Sequence, residues 1–125
     1  MQQLTENLFC GTWRSYKAFL HTGEVKNHSK DKYLEFAFGE EKRLTISVHD
    51  NGTGKKREET KDWTVLLKDK RNYLSIKSKE LAYEVITINH VALVLMDTNT
   101  NEKVFFARPE TWETYVKTPA SSAAF

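Results

Sequence analysis

The sequence predicts an all-β domain: an eight-stranded antiparallel up-and-down β-barrel with short N-terminal and C-terminal helical turns. Three observations support this prediction. Both prolines of the 125-residue chain, Pro109 and Pro119, follow residue 108, so the part before them lacks the residue that cannot donate to a sheet ladder. Apolar residues in that part recur mostly at every second position, which is typical of half-buried strands. The connecting segments are short and rich in turn-forming residues.

The strands follow from this alternation. Leu44, Ile46 and Val48, for example, are separated by Thr45 and Ser47. Only the connection of residues 20–31 approaches the length of a parallel crossover, so the strands are expected to form an antiparallel meander. In order, the predicted strands are Gly11 to Leu20, Lys32 to Phe38, Arg43 to His49, a run ending in Trp63 to Leu67, Tyr73 to Lys77, Leu81 to Ile88, Val91 to Asp97, and Lys103 to Arg108.

Each end of the chain carries a helical pattern. Leu4, Leu8 and Phe9 share one side of a short helical turn that is placed to plug one end of the barrel. After Arg108, Pro109 suits the first turn of a helix. The apolar face of this helix is expected to dock on the outer wall; it is formed by Trp112, Tyr115 and Val116. We assign residues 1–118 to one domain and predict a disordered tail at 119–125.

Two architectures bury the apolar face of such strands, a two-layer sandwich and a closed barrel. A sandwich would more naturally show a long crossover in the middle of the chain. Because the connections after Asp31 have hairpin length, the barrel is favoured.

Composition excludes several classes of protein. Cys10 is the only cysteine, so neither an intrachain disulfide nor a multi-cysteine zinc site is expected. A net charge of +2 is too small to make nucleic acid the default partner. The sequence has no apolar run long enough to span a membrane and no secretory signal in the form given. We therefore expect a soluble, cytoplasmic chain as written, or a periplasmic or secreted one if a leader has been removed.

Gly11, Thr12 and Trp13 open the first predicted strand, and the last predicted strand, which contains Val104-Phe105-Phe106-Ala107, ends in Arg108. This combination resembles the lipocalins and the wider calycin superfamily, most closely the short bacterial lipocalin-like domains. The resemblance implies that Gly11, Trp13 and Arg108 meet at the closed end of the barrel. A guanidinium on an indole, with donors left for backbone carbonyls, would tie the first strand to the last. Alternatively, Trp13 is an ordinary core aromatic residue and Arg108 a surface charge.

The sequence also departs from two branches of that superfamily. It is shorter than the secreted lipocalins and lacks their usual disulfide. The connection from His21 to Lys30 is too short for the helical lid of the fatty-acid-binding branch, and no Arg-X-Tyr pair closes the last strand. The carboxylate site of that branch is therefore not expected here.

The alternation predicts which side chains line the lumen. If Trp13 faces inward, Ser15, Lys17 and Phe19 do so as well, and a lysine in an apolar lumen requires water or an anion. Alternatively, a bulge or a position at the rim lets the ammonium of Lys17 reach solvent. Whether the other inward side chains fill the core or leave a modest cavity stays open at this point. They are Phe36, Phe38, Ile46, Trp63, Val65, Tyr83, Leu93, Leu95 and Phe106.

The sequence favours a binding protein for a small, mostly apolar ligand of unknown identity, acting as a monomer or weak homodimer. No catalytic residues, cofactor or metal are predicted, because the histidines lack metal-ligand spacing and the Gly52-Thr53-Gly54 segment lacks P-loop spacing. The alternative is a filled barrel that serves as a non-catalytic structural or protein-interaction module through exposed aromatic residues. Tyr33, Tyr73 and Trp112 are the candidates for such contacts.

Overall fold

The computed structural model of the protein describes residues 6–50, 55–77 and 79–116. Within these residues one antiparallel sheet closes on itself as a ring of eight strands, which confirms the predicted barrel. A short additional strand lies beside the first. The strands are β1 (Gly11–Phe19), β2 (Val25–Asn27), β3 (Lys32–Phe38), β4 (Arg43–Asp50), β5 (Lys55–Lys68), β6 (Arg71–Ile76), β7 (Lys79–Ile88), β8 (Ala92–Asp97) and β9 (Lys103–Ala107), followed by the helix α1 (Pro109–Val116).

β1 closes the ring because it has a partner on each side. Its first half pairs with β3, with Trp13 opposite Phe36, and its second half pairs with β9, with Ala18 opposite Val104. Closure gives each of the eight ring strands a neighbour on both sides, so none of them is an edge strand of an open sheet.

The inner face of the ring encloses one apolar core. Its aromatic rings pack closely, with centroids 4.9 Å apart for Phe36 and Phe106 and 4.8 Å apart for Phe38 and Trp63. Phe9 of the N-terminal segment is fully buried against Phe38 and Trp63, so it fills the end of the barrel as predicted. Leu4 lies outside the described residues. This end of the barrel is closed and filled with side chains.

Arg108 ties the N-terminal segment to the end of β9. Its guanidinium carbon lies 3.7 Å from the centroid of a Trp13 ring, which is the contact that the family resemblance implies. The same guanidinium donates to the carbonyls of Leu8, Cys10 and Thr12 at 3.4, 3.0 and 3.4 Å. The indole Nε1 of Trp13 donates to the Phe9 carbonyl at 2.9 Å. A single side chain therefore binds two carbonyls of the N-terminal segment and one of β1, and packs on the buried indole.

The helix α1 docks on the outer wall. Trp112 and Val116 are buried against Ala107, and Trp112 Nε1 donates to the Ser15 carbonyl at 2.8 Å. Tyr115 was expected on the same buried face but is 57% exposed, with its ring stacked on Tyr16 at 4.2 Å. The predicted tail at 119–125 lies outside the described residues.

The strand β2 was not predicted, because Val25, Lys26 and Asn27 show no alternation and all three are exposed. β2 and β3 both run antiparallel to β1 and pair with successive parts of it. From Arg14 to Lys17, β1 advances three residues while its partner goes from Glu35 back to Asn27, eight residues, so five extra residues are accommodated there. The connection between β2 and β3, residues 28–31, is called the excursion below; it separates β3 from the second half of β1.

No helix in the described part of the chain is both long enough and apolar enough to cross a membrane.

Candidate ligand-binding site

The opening between β1 and β3 is bridged by the side chain of Ser15. Its hydroxyl oxygen accepts a hydrogen bond from the Leu34 backbone N–H at 2.8 Å and lies 2.6 Å from Nδ1 of His28. Because the oxygen already serves as an acceptor for Leu34, the hydroxyl proton is available to His28 Nδ1. The His28 backbone N–H donates to the Tyr16 carbonyl at 2.9 Å. Ser15 therefore replaces a missing ladder bond and fixes His28 at this end of the barrel.

A cavity of about 270 Å³, partly open to solvent, lies at the end of the barrel opposite the Trp13 and Arg108 contact. Side chains from three strands give it an apolar floor: Ala18 from β1, Leu34 from β3 and Val48 from β4. Val104, the register partner of Ala18, completes that floor. The rim is polar, with residues from β2, the excursion, β3, β4 and the turn before β9; it consists of Lys26, Asn27, His28, Lys32, Tyr33, His49 and Glu102.

The two histidines of the rim differ in environment. Burial lowers the pKa of His28, and the nearby positive charge of Lys26 lowers it further, so its ring is neutral near neutral pH. The His49 ring stacks on Tyr33 at 4.5 Å, and its Nε2 is shielded from solvent with no hydrogen-bond partner among the described residues. The rim thus holds a neutral histidine beside a lysine, whereas the unsatisfied nitrogen of His49 is buried next to the stacked Tyr33 ring.

A solved structure has a similar architecture. The chain is similar to a lipocalin-like protein from Bacteroides uniformis, with a TM-score of 0.60 over 81% of this chain and 98% of that chain. The identity is 11%, so this likeness concerns the fold. The chain has a lipocalin-like fold. No protein-family model and no curated protein matches the sequence.

Strict alternation predicted that Lys17 and Phe19 line the lumen, but in this lipocalin-like barrel they do not. Between Ser15 and Lys17 the pairing with β9 shifts by one residue, and Tyr16 is the extra residue. Lys17 therefore lies opposite Phe105 on the outer wall, with its Nζ 4.8 Å from the centroid of that ring. The bulge was the alternative reading of the sequence, and Ala18 takes the inward position instead.

The other predicted lumen residues lie in or against the core of the lipocalin-like barrel, and the described lining of the open-end cavity includes none of them. Tyr83 and Ile46 are partly buried against that core. Burial raises the pKa of the Tyr83 phenol, and the Asp97 carboxylate raises it further. The predicted lumen residues whose side chains are buried in the core are Phe36, Phe38, Trp63, Val65, Leu93, Leu95 and Phe106.

The residues that line the cavity were missed for physical reasons. Ala18, Val48 and Val104 are small, and a small side chain leaves space instead of filling it, whereas the sequence analysis singled out bulky residues. Lys26 and His28 lie in the connection that was predicted to be a loop. The one available signal was the length of that connection, which is greater than a hairpin requires.

The aromatic residues proposed for an interaction surface are not exposed together. Trp112 is buried, and the half-buried Tyr33 ring lies between His49 and Trp112. Tyr73 is half-buried. Two apolar side chains that are exposed, Phe19 and Val25, are neighbours on β1 and β2.

Proposed function

We propose that the protein binds one small, mostly apolar molecule, without catalysis, in the cavity at the open end of its barrel. One observation carries the proposal: the closed half is filled with aromatic side chains, whereas the open half holds a cavity of about 270 Å³ with an aliphatic floor. Cavities of about 150 Å³ lined by aliphatic and aromatic groups bind benzene, and pockets for larger ligands begin near 300 Å³. The volume therefore suits a ligand of one or two rings or a short chain.

A binding role agrees with the environment of the Ser15 hydroxyl, whose partner His28 lines the cavity. Ser15 is paired with His28, which is a common arrangement for activating a nucleophile. Ser15 is nevertheless fully buried, and its oxygen already accepts from the Leu34 N–H. A substrate carbonyl therefore has no path to this oxygen, and we assign the pair to shaping the wall of the cavity.

Titration with 1-naphthol, a neutral two-ring probe, tests the proposal. We expect a saturable fluorescence change with one site per chain. Val48→Phe fills the cavity from its floor and should abolish the change, since Val48 lines the cavity without being fully buried. Val91→Phe makes the same exchange in the turn before β8, where the side chain is 64% exposed, and should bind the probe like the wild type.

Two results would overturn the proposal: no saturable uptake by the folded wild-type protein, or equal uptake by Val48→Phe. Native mass spectrometry of the same samples distinguishes the alternative role. A stable dimer without uptake of the probe would favour a filled interaction module.

A further inference from the structure

The charges around the cavity show which apolar molecules it suits. Lys26 and Lys32 are the cations of its rim and Glu102 is the one carboxylate among its described lining residues. Among the described residues the one ion-pair partner of Lys32 is Asp50, 3.9 Å from Nζ, and the lysine side chain of this pair is 67% exposed. For Lys26 the structure shows no ion pair within residues 6–50, 55–77 and 79–116. The rim therefore has cationic capacity that the protein itself does not use.

The position of His28 also favours a negatively charged ligand. His28 lies near Lys26, and that positive charge opposes protonation of its ring. An anion placed between the two groups would be attracted to Lys26 and would favour the charged form of His28. Hydrogen bonds from such donors to a carboxylate are shorter and stronger than hydrogen bonds between neutral groups.

We infer that the preferred ligand is a small apolar carboxylic acid, with its hydrocarbon part on the aliphatic floor and its carboxylate at the rim beside Lys26, His28 and Lys32. This inference rests on the proposed function and names the class of ligand. The carboxylate site is at the mouth of the barrel and is formed by β2, the first residue of β3 and the excursion between them, not by residues deep in the lumen.

Two naphthalene probes of nearly equal shape, 2-naphthoate and the neutral 2-naphthamide, test the inference by calorimetric titration. At neutral pH and low salt we expect the wild type to bind 2-naphthoate about tenfold more tightly than 2-naphthamide. Lys26→Gln and Lys32→Gln should each weaken binding of 2-naphthoate by about threefold or more and leave 2-naphthamide unchanged.

Lys30→Gln is the matched control. Lys30 belongs to the same excursion but faces Glu113 of α1, 3.9 Å from its carboxylate, and does not line the cavity. The substitution removes one positive charge from the stretch of chain between Lys26 and Lys32. Affinity for 2-naphthoate in Lys30→Gln should therefore remain within about twofold of the wild type.

A pH series adds a second measurement. As the pH falls from about 7.5 to about 5.5, 2-naphthoate stays ionised while His28 gains a proton more readily in the complex than in the free protein. Binding of 2-naphthoate should strengthen about fivefold over this range and take up protons, and binding of 2-naphthamide should not change. The other titratable groups of the rim are Lys26, Lys32, Tyr33, His49 and Glu102. His49→Gln therefore accompanies His28→Gln, and only His28→Gln should remove most of the pH dependence.

The outcomes separate the inference from the function beneath it. Equal or tighter binding of 2-naphthamide by the wild type, or 2-naphthoate affinity unaffected by both rim variants, overturns the assignment of an acidic ligand and leaves the binding function intact. Failure of both probes and of 1-naphthol overturns the binding function itself.

Discussion

A Cβ atom added to Gly11 would lie 2.9 Å from Nη1 of Arg108. Gly11 also has a φ of 104°, which side chains of L-residues rarely permit. The arginine nitrogen cannot simply move away, because it donates to the carbonyls of Cys10 and Thr12. Position 11 therefore needs a glycine, both for its backbone conformation and because the Arg108 guanidinium occupies the space of a Cβ atom.

Gly11→Ala should therefore destabilise the barrel through both backbone strain and a contact with Arg108. Gly23→Ala is the control, because Gly23 has a φ of 93° but open space around the added Cβ. We expect Gly23→Ala to lower the free energy of unfolding by about 1 kcal/mol and Gly11→Ala to lower it by at least 1 kcal/mol more. Urea unfolding of the two variants measures the difference. Equal losses would show that Arg108 yields without cost.

Arg108→Lys tests whether the closed end needs a guanidinium or only a positive charge. A lysine retains the charge but cannot stack a planar group on Trp13 and reach the carbonyls of Leu8, Cys10 and Thr12 together. The free energy of unfolding should fall by about 2 kcal/mol. Arg71→Lys, at an exposed ion pair with Glu84, should change it by less than about 0.5 kcal/mol. Similar small losses in both variants would contradict this role of Arg108.

The barrel and its closed end could be predicted because they depend on alternation and on one local pattern. Phe36 and Phe38 keep the inward parity that the sequence predicts, and their register with Leu44 and Ile46 on β4 is unbroken. Trp13 and Arg108 stand at fixed places, the start of the first strand and the end of the last. Alternation is reliable wherever a strand contains no extra residue.

The open end could not be predicted because the rule fails there twice. One extra residue at Tyr16 reverses the facing of everything after it on β1, so Lys17 and Phe19 lie outside. Five extra residues divide the neighbouring strand into β2 and β3. Neither inserted segment contains a glycine or proline, the residues that would have indicated an irregularity in the sequence. The candidate site lies between the two irregularities, which is why its residues were missed.

Ser15→Ala should destabilise the open end more than its size suggests. The substitution at this fully buried position leaves the Leu34 N–H without an acceptor and removes the hydrogen bond to His28 Nδ1. We expect a loss of about 1–3 kcal/mol in the free energy of unfolding and faster amide exchange at Leu34. Ser75→Ala, at a half-buried serine on β6, should be within about 0.5 kcal/mol of the wild type. Unchanged exchange at Leu34 would contradict the proposed role of the hydroxyl.

Glu6 makes the stability of the barrel depend on pH. Burial alone would raise the pKa of this carboxyl, but hydrogen bonds from the Thr64 hydroxyl and the Val65 N–H, together with Lys42, outweigh burial and lower it. A pKa lowered in the folded state contributes stability that is present above the unfolded value of about 4.5 and is lost as the pH falls through the folded value. The wild type should therefore lose stability between about pH 5 and pH 3.

Glu6→Gln keeps an acceptor oxygen for Thr64 and Val65 but does not titrate in this range. Its free energy of unfolding should be lower than that of the wild type at neutral pH, and the gap between the two proteins should narrow as the pH is lowered to about 3. Glu40→Gln, an exposed carboxyl in the turn before β4, provides the control and should follow the wild type throughout. If the difference in free energy of unfolding stays constant with pH, the shape of the Glu6 side chain and not its charge holds the N-terminal segment in place.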